Sequence, residues 1–165
     1  MFRRSLTITL MATAIIIAGP ALSYDSAMSE SYAALFLPVK DAGAGKALHV
    51  IPPDVFLSKV KAKEPLVALD VRTPAETGIY SVTLAGALVV PINELFTETN
   101  LARIPTDKTV VVLCMSGTRA TAAGTALRHI GFENVYILKG GFKALTSYLG
   151  PKEANTPLPP EPVKK

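Results

Sequence analysis

Cys114, Met115, Ser116, Gly117, Thr118 and Arg119 are the residues whose types and spacing point to a reaction. Val110–Leu113 is a short apolar run of strand length, and a helical pattern begins near Arg119. A strand that ends at a cysteine and turns into a helix sets the sulfur before the helix N-terminus. Unpaired N–H groups and the helix dipole favour an anion there. That setting favours the thiolate, the nucleophilic form of cysteine. Gly117 tolerates backbone angles that other residues resist, so the amides of Met115–Arg119 can curl inward as an anion nest. Arg119 adds a permanent positive charge. A nucleophile already ionised needs no histidine or carboxylate base. The competing reading of a lone cysteine is a small buried hydrophobe.

The remaining chain must supply a scaffold that holds this loop. It has 165 residues, of which 49% are apolar types, enough for one domain with a core. Besides Val110–Leu113, strand-length apolar runs occur at Leu66–Val71, Ala87–Val90 and Val135–Leu138, and Leu48–Ile51 reads as a short strand. Such near-continuous runs suit parallel strands covered on both faces. Helical patterns lie between them: Pro53 to about Lys63, Asn93 as an N-cap to about Arg103, Arg119–Ile130, and Gly141–Leu149. Gly131 sits where a C-terminal cap glycine belongs. Alternating strands and helices predict an open α/β sheet, mostly parallel, with ligands at the carboxyl ends of strands.

The single cysteine excludes a disulfide framework and a Cys-rich metal centre, and with only two histidines no N/S-ligated metal is expected. The formal charge is +4, with basic residues scattered, which gives nucleic-acid binding no support. Residues 1–23 read as an export signal: Arg3 and Arg4, an uncharged apolar stretch over Leu6–Gly19, then Pro20 and small residues at Ala21-Leu22-Ser23. A retained anchor is the alternative, although a spanning helix needs about 20 apolar residues. Removing the signal lowers the formal charge to +2. The expected location is therefore periplasmic, with membrane contact only if the segment is retained. Residues 24–47 read as a lead-in, with a short docked helix over Tyr32–Leu37. Residues 48–150 read as the folded domain. Pro151–Lys165 carries five prolines and reads as an extended tail, either a plain chain end or a Pro-rich ligand for a partner.

Across Leu48–Leu149 the chain resembles the rhodanese (thiosulfate sulfurtransferase) family. Four motifs agree in order. Leu69-Asp70-Val71-Arg72-Thr73-Pro74-Ala75-Glu76 resembles the first signature, Ala85-Gly86-Ala87 with Pro91 the next segment, Cys114–Arg119 the active-site loop, and Gly140-Gly141-Phe142 the end piece. The resemblance implies an open, mostly parallel five-stranded sheet with helices on both faces. It implies that Cys114 carries sulfur as a persulfide, taken from thiosulfate or another sulfane donor and passed to a thiol, a protein thiol included, or to cyanide. Met115, Ser116, Gly117, Thr118 and Arg119 would then line the substrate site, and no metal or organic cofactor is implied. The four residues between Cys114 and Arg119 match the sulfurtransferase loop and are one fewer than in related cysteine phosphatases.

The chain departs from the family pattern in three places. Gly78-Ile79-Tyr80 runs into Ser81-Val82-Thr83-Leu84 with no histidine, so Tyr80 is a candidate pocket residue. Position 115 is Met, which weakens attraction for doubly charged thiosulfate and leaves open a protein-bound or small persulfide donor. Ala144-Leu145 stands where relatives carry an aromatic. Asp70, Arg72 and Glu76 are expected to support the site structurally: Asp70 capping loop amides, Arg72 paired with Glu76 across a helical turn. Arg119 either faces substrate or braces the loop against a carboxylate. Ser116 and Thr118 either bond the transferred sulfur or cap the helix, with capping expected for Thr118. His49 is expected at a strand edge and His129 at a helix C-terminus. Two other function classes fit parts of the pattern: a non-catalytic binding module, and a cysteine phosphatase or oxyanion reductase.

Overall fold

The computed structural model of the chain describes residues 23–157. The expected export signal lies outside them apart from Ser23, as does the tail beyond Pro157. No helix among the described residues is long and apolar enough to cross a membrane.

Five strands form one sheet: β1 (Val50–Ile51), β2 (Leu66–Asp70), β3 (Leu88–Val89), β4 (Thr109–Leu113) and β5 (Val135–Leu138). Their order is β1-β5-β4-β2-β3, and every neighbouring pair is parallel. β4 lies at the centre, paired with β2 from Leu66↔Thr109 to Asp70↔Leu113 and with β5 from Val110↔Val135 to Val112↔Ile137. Because side chains alternate along a strand, β4 feeds two cores. Val110, Val112 and then Cys114 face one core with Leu69, Val71, Val135 and Ile137. Val111 and Leu113 face the other with Ala68 and Leu138.

Helices close both faces. On the Cys114 side lies α6 (Thr118–His129), with Ala120, Ala123 and Leu127 buried. On the other side lie α3 (Pro53–Lys61) through Phe56 and α7 (Gly141–Tyr148) through Phe142 and Leu145. Gly124 lets α6 sit close to the sheet: a Cβ there would come 2.5 Å from Ile137 Cγ1. Gly131, at φ +108, follows the end of α6 in the left-handed conformation a helix stop requires.

Several boundaries differ from the sequence reading. The expected helix from Asn93 to Arg103 shrinks to α5 (Glu98–Leu101), which starts at Thr97, whose Oγ1 accepts from Asn100 N. Residues 92–96 form turns instead, and Leu95 and Ile104 reach the core from irregular backbone. The strand expected over Leu48–Ile51 is confined to β1, because α2 (Ala44–Ala47) runs up to Leu48 and His49 takes φ +56. The strand expected over Ala87–Val90 is likewise only β3.

The lead-in helix is longer than Tyr32–Leu37: α1 spans Ser26–Phe36, started by Asp25 Oδ1 accepting from Met28 N at 2.9 Å. It docks on α6, where Tyr32 stacks on His129 at 3.9 Å and Ser31 Oγ is hydrogen-bonded to His129 Nε2 at 2.6 Å. Pro151–Lys165 is not extended throughout, since α8 (Pro151–Ala154) opens it, with Glu153 ion-paired to Lys61 of α3. Proline at the first helical position needs no N–H partner, which is why a Pro-rich segment can begin this way.

Gly124→Ala places a methyl against Ile137 in a packed core. Denaturant unfolding of this variant is expected to show a loss of about 1–3 kcal/mol.

Candidate functional site

Cys114 continues the alternation of β4 one residue past its end, so its sulfur lies on the face that α6 covers. Gly117, at φ +94, is the N-cap of α6 and turns the chain sharply into the helix. As a result the first amides of α6 meet the sulfur: Gly117 N donates to Cys114 Sγ at 3.2 Å and Ala120 N at 3.4 Å. The nest is therefore narrower than the expected convergence of Met115–Arg119. The amides of Ser116, Thr118 and Arg119 have no acceptor among the described residues, so they remain able to bond a second sulfur. The Cys114 side chain is fully buried.

The loop is held from the far side by α7. Phe142 N donates to Cys114 O at 2.7 Å and Lys143 N to Met115 O at 3.0 Å. This close approach demands glycine: Gly140 and Gly141 take φ +71 and +58, and a Cβ on Gly141 would strike Cys114 O and lie 2.7 Å from Gly117 N. Thr118 occupies the first turn of α6 without capping it; its Oγ1 meets Ser116 Oγ at 3.3 Å. The capping expected of Thr118 thus falls to the backbone of Gly117 and the cysteine sulfur.

Arg119 does brace the loop, and its carboxylate is Glu76. Nη1 donates to Oε2 at 2.7 Å and Nη2 to Oε1 at 2.6 Å. The hydrogen bonds to Glu76 hold the guanidinium protonated far above its ordinary range, and the charge of the Cys114 sulfur adds to the effect. Glu76 in turn is pulled down to about 2, chiefly by the Arg119 hydrogen bond and then by the Thr73 amide. That second bond belongs to a capping box that starts α4 (Pro74–Thr77): Thr73 N donates to Glu76 Oε2 at 2.9 Å, and Glu76 N donates to Thr73 Oγ1 at 3.3 Å. Thr73-Pro74-Ala75-Glu76 carried this signal in plain sight.

Arg72 does not pair with Glu76, contrary to the expectation across a helical turn. The box turns Glu76 toward its own helix start and Arg119, while Arg72 lies before the helix and folds inward. Its Nη2 meets Asp70 Oδ2 at 2.7 Å, and its Nε lies 3.0 Å from both carboxylate oxygens. Asp70 caps one loop amide, Arg72 N, at 3.1 Å. Both residues of the pair are completely buried.

The guanidinium of Arg72 also holds the atypical loop: Nη2 donates to Tyr80 O at 2.8 Å, and the guanidinium carbon lies 4.1 Å from the Phe142 ring centre and 4.9 Å from that of Tyr80. Arg72 Nη1 is buried with no hydrogen-bond acceptor; the two ring faces supply its electrostatic compensation. Tyr80 stands edge-on to Phe142 and its hydroxyl donates to Met115 Sδ at 3.4 Å. The structure thus brings Tyr80 to the Cys114–Arg119 loop and adds Phe142, which sequence reasoning had only as part of an end motif. His49 and His129 lie elsewhere, on Val135 O and on α1. No cluster of metal-ligating side chains occurs among the described residues.

A sequence profile for the rhodanese-like domain matches residues 53–148. The chain belongs to the rhodanese family. A sulfurtransferase of Allochromatium vinosum is 35% identical over 97 residues, 59% of this chain and 87% of that protein. The probable adenylyltransferase/sulfurtransferase MoeZ of Mycobacterium tuberculosis is 30% identical over 111 residues, 67% of this chain, which spans only 28% of that longer protein. Among solved structures, a rhodanese-related protein of Thermoplasma volcanium superposes with a TM-score of 0.53 at 28% identity, covering 62% of this chain and 95% of that one. The five-stranded parallel sheet with helices is the fold of these rhodaneses.

Two outcomes test this geometry. Gly141→Ala pushes the Cys114 carbonyl away from α7; we expect a loss of about 1–3 kcal/mol in stability and faster amide hydrogen exchange at Gly117 and Ala120. The folded carboxyl of Glu76 sits near 2 against an ordinary 4.5, so its ion pair stabilises fully above about pH 5 and is lost as pH falls toward 2. Unfolding of Glu76→Gln and of the native chain should therefore differ by about 1 kcal/mol at pH 7 and converge only below about pH 2.

Proposed function

We propose that the chain is a sulfurtransferase that carries a sulfane sulfur as a persulfide on Cys114. The observation that supports this most directly is the sulfur held by two amides at the start of α6, with Arg119 fixed beside it by Glu76. Rhodanese-family relatives named as sulfurtransferases agree with it.

The Cys114 thiolate attacks the outer sulfur of the donor. The donor's S–S bond breaks, and its electron pair leaves on sulfite, when thiosulfate is the donor, or on a thiolate, when a persulfide is. The new Cys114–S–S⁻ extends the negative charge by one atom. The amides of Ser116, Thr118 and Arg119, which have no acceptor among the described residues, are available to receive it. An acceptor thiolate, or cyanide, then attacks the outer sulfur and returns Cys114 to its thiolate. Because the side chain is fully buried, the loop around it must move aside for each transfer. No metal or organic cofactor takes part in this scheme.

We place this activity outside the cytoplasm on the pattern of Arg3, Arg4 and Leu6–Gly19. Burial of Cys114 favours a second reading, a binding module that keeps the cysteine as a core residue. Intact mass after incubation with thiosulfate separates the two. Sulfur transfer requires a gain of one sulfur that cyanide removes and Cys114→Ser abolishes. No gain with thiosulfate or any persulfide donor assigns the fold to binding alone.

A further inference from the structure

A surface cavity of about 280 Å³ lies where β1 and β5 begin, at the opposite end of the sheet from Cys114. Leu35 of α1, His49 before β1, Arg128 in the last turn of α6 and Glu133 before β5 line it. Glu133 is exposed, and the other three are half-buried.

Two opposite charges share this cavity without pairing. The side chains of Arg128 and Glu133 make no ion pair or hydrogen bond, with each other or with any other described residue. The charges beside the Cys114 loop are instead closed in pairs, Arg119 with Glu76 and Arg72 with Asp70. A simple anion drawn to Arg128 is repelled by Glu133, and a simple cation the reverse. A ligand that carries both charges satisfies both side chains.

His49 adds a second acceptor. Its Nδ1 lies 3.0 Å from Val135 O. A carbonyl only accepts, so Nδ1 carries the proton and Nε2 of the neutral ring keeps its lone pair. The ring is held in place by a stack on Tyr136 at 4.6 Å. Nε2 and the Glu133 carboxylate together suit an ammonium, which has three N–H donors. The Arg128 guanidinium is a fork of donors that suits a carboxylate. Leu35 gives the cavity an apolar wall. An α-amino acid carries an ammonium, a carboxylate and a side chain on one carbon, the combination these four residues ask for.

We propose that this cavity binds an α-amino acid with an aliphatic side chain. Its carboxylate meets Arg128, its ammonium meets Glu133 and His49, and its side chain lies on Leu35. The site is independent of the sulfur-transfer reading and uses none of its residues.

The test titrates the full chain with leucine, N-acetyl-leucine, leucinamide and glycine, following the amide NMR signals of Leu35, His49, Arg128 and Glu133. Leucine is expected to give saturable shifts at these amides. Each blocked analogue loses one charge, and a partly exposed ion pair corresponds to about fivefold in affinity. N-acetyl-leucine and leucinamide should therefore each bind about fivefold more weakly, and glycine, with no side chain for Leu35, more weakly than leucine. Arg128→Gln should weaken leucine and leave leucinamide unchanged, and Glu133→Gln should weaken leucine and leave N-acetyl-leucine unchanged. Absence of shifts at these amides with leucine at its solubility limit overturns the proposal. So does a blocked analogue, or glycine, that binds as tightly as leucine.

Discussion

The loop that ends β4 depends on how its carbonyls are satisfied. Cys114 O and Met115 O are both taken by amides of α7, at 2.7 and 3.0 Å. In a planar trans peptide the C=O and the following N–H point in opposite directions. Tying these carbonyls to α7 therefore turns the next amides toward the other side of the sheet. That side is where strand alternation has put the sulfur, beneath the start of α6. The approach is possible because Gly140 and Gly141 carry no side chains to meet the loop and accept positive φ. The glycines thus let α7 hold the loop from the face of the sheet opposite the Cys114 sulfur.

Around this loop the charges are arranged in closed pairs. Arg72 and Asp70 form a wholly buried pair roofed by aromatic rings, and Arg119 and Glu76 a half-exposed one. A buried guanidinium is tolerable when a carboxylate and a carbonyl meet it with good geometry, and breaking such a pair is far more costly than forming it is beneficial. The pairs also fix position. One ties the atypical loop to the end of β2 through Tyr80 O, and the other ties α4 to the first turn of α6. The stretch from the end of β2 through α4 to Tyr80 is thereby fastened to itself and to the first turn of α6, 43 residues on, and little net charge is left unpaired there.

The apolar features near the sulfur follow from the same arrangement. With Arg72 turned inward, Phe142 and Tyr80 cover it, and Met115 joins the core shared by α3 and α7. The family match places the chain among rhodaneses, while the loop at 79–84 and Met115 give this member an apolar side to the Cys114–Arg119 loop.

Much of this was legible in the residues themselves. Apolar runs, the Gly131 stop and the Cys114–Arg119 spacing are local signals, and the structure has a strand or helix at each such place, with β4 and α6 flanking the cysteine. Helix extent near Asn93 was misjudged because turns that bury Leu95 carry the same apolar spacing as a helix. Ion-pair partners were the main thing hidden. Arg72 and Glu76 stand at helical separation, but Arg72 lies outside the helix, and the carboxylate's true partner is 43 residues away. Sequence determined which groups could ionise, turn or pack, since those are properties of short segments. Which cation met which carboxylate, and that the sulfur is enclosed, was decided only when parallel strand ends, two helix N-termini and a long loop converged at one point in space.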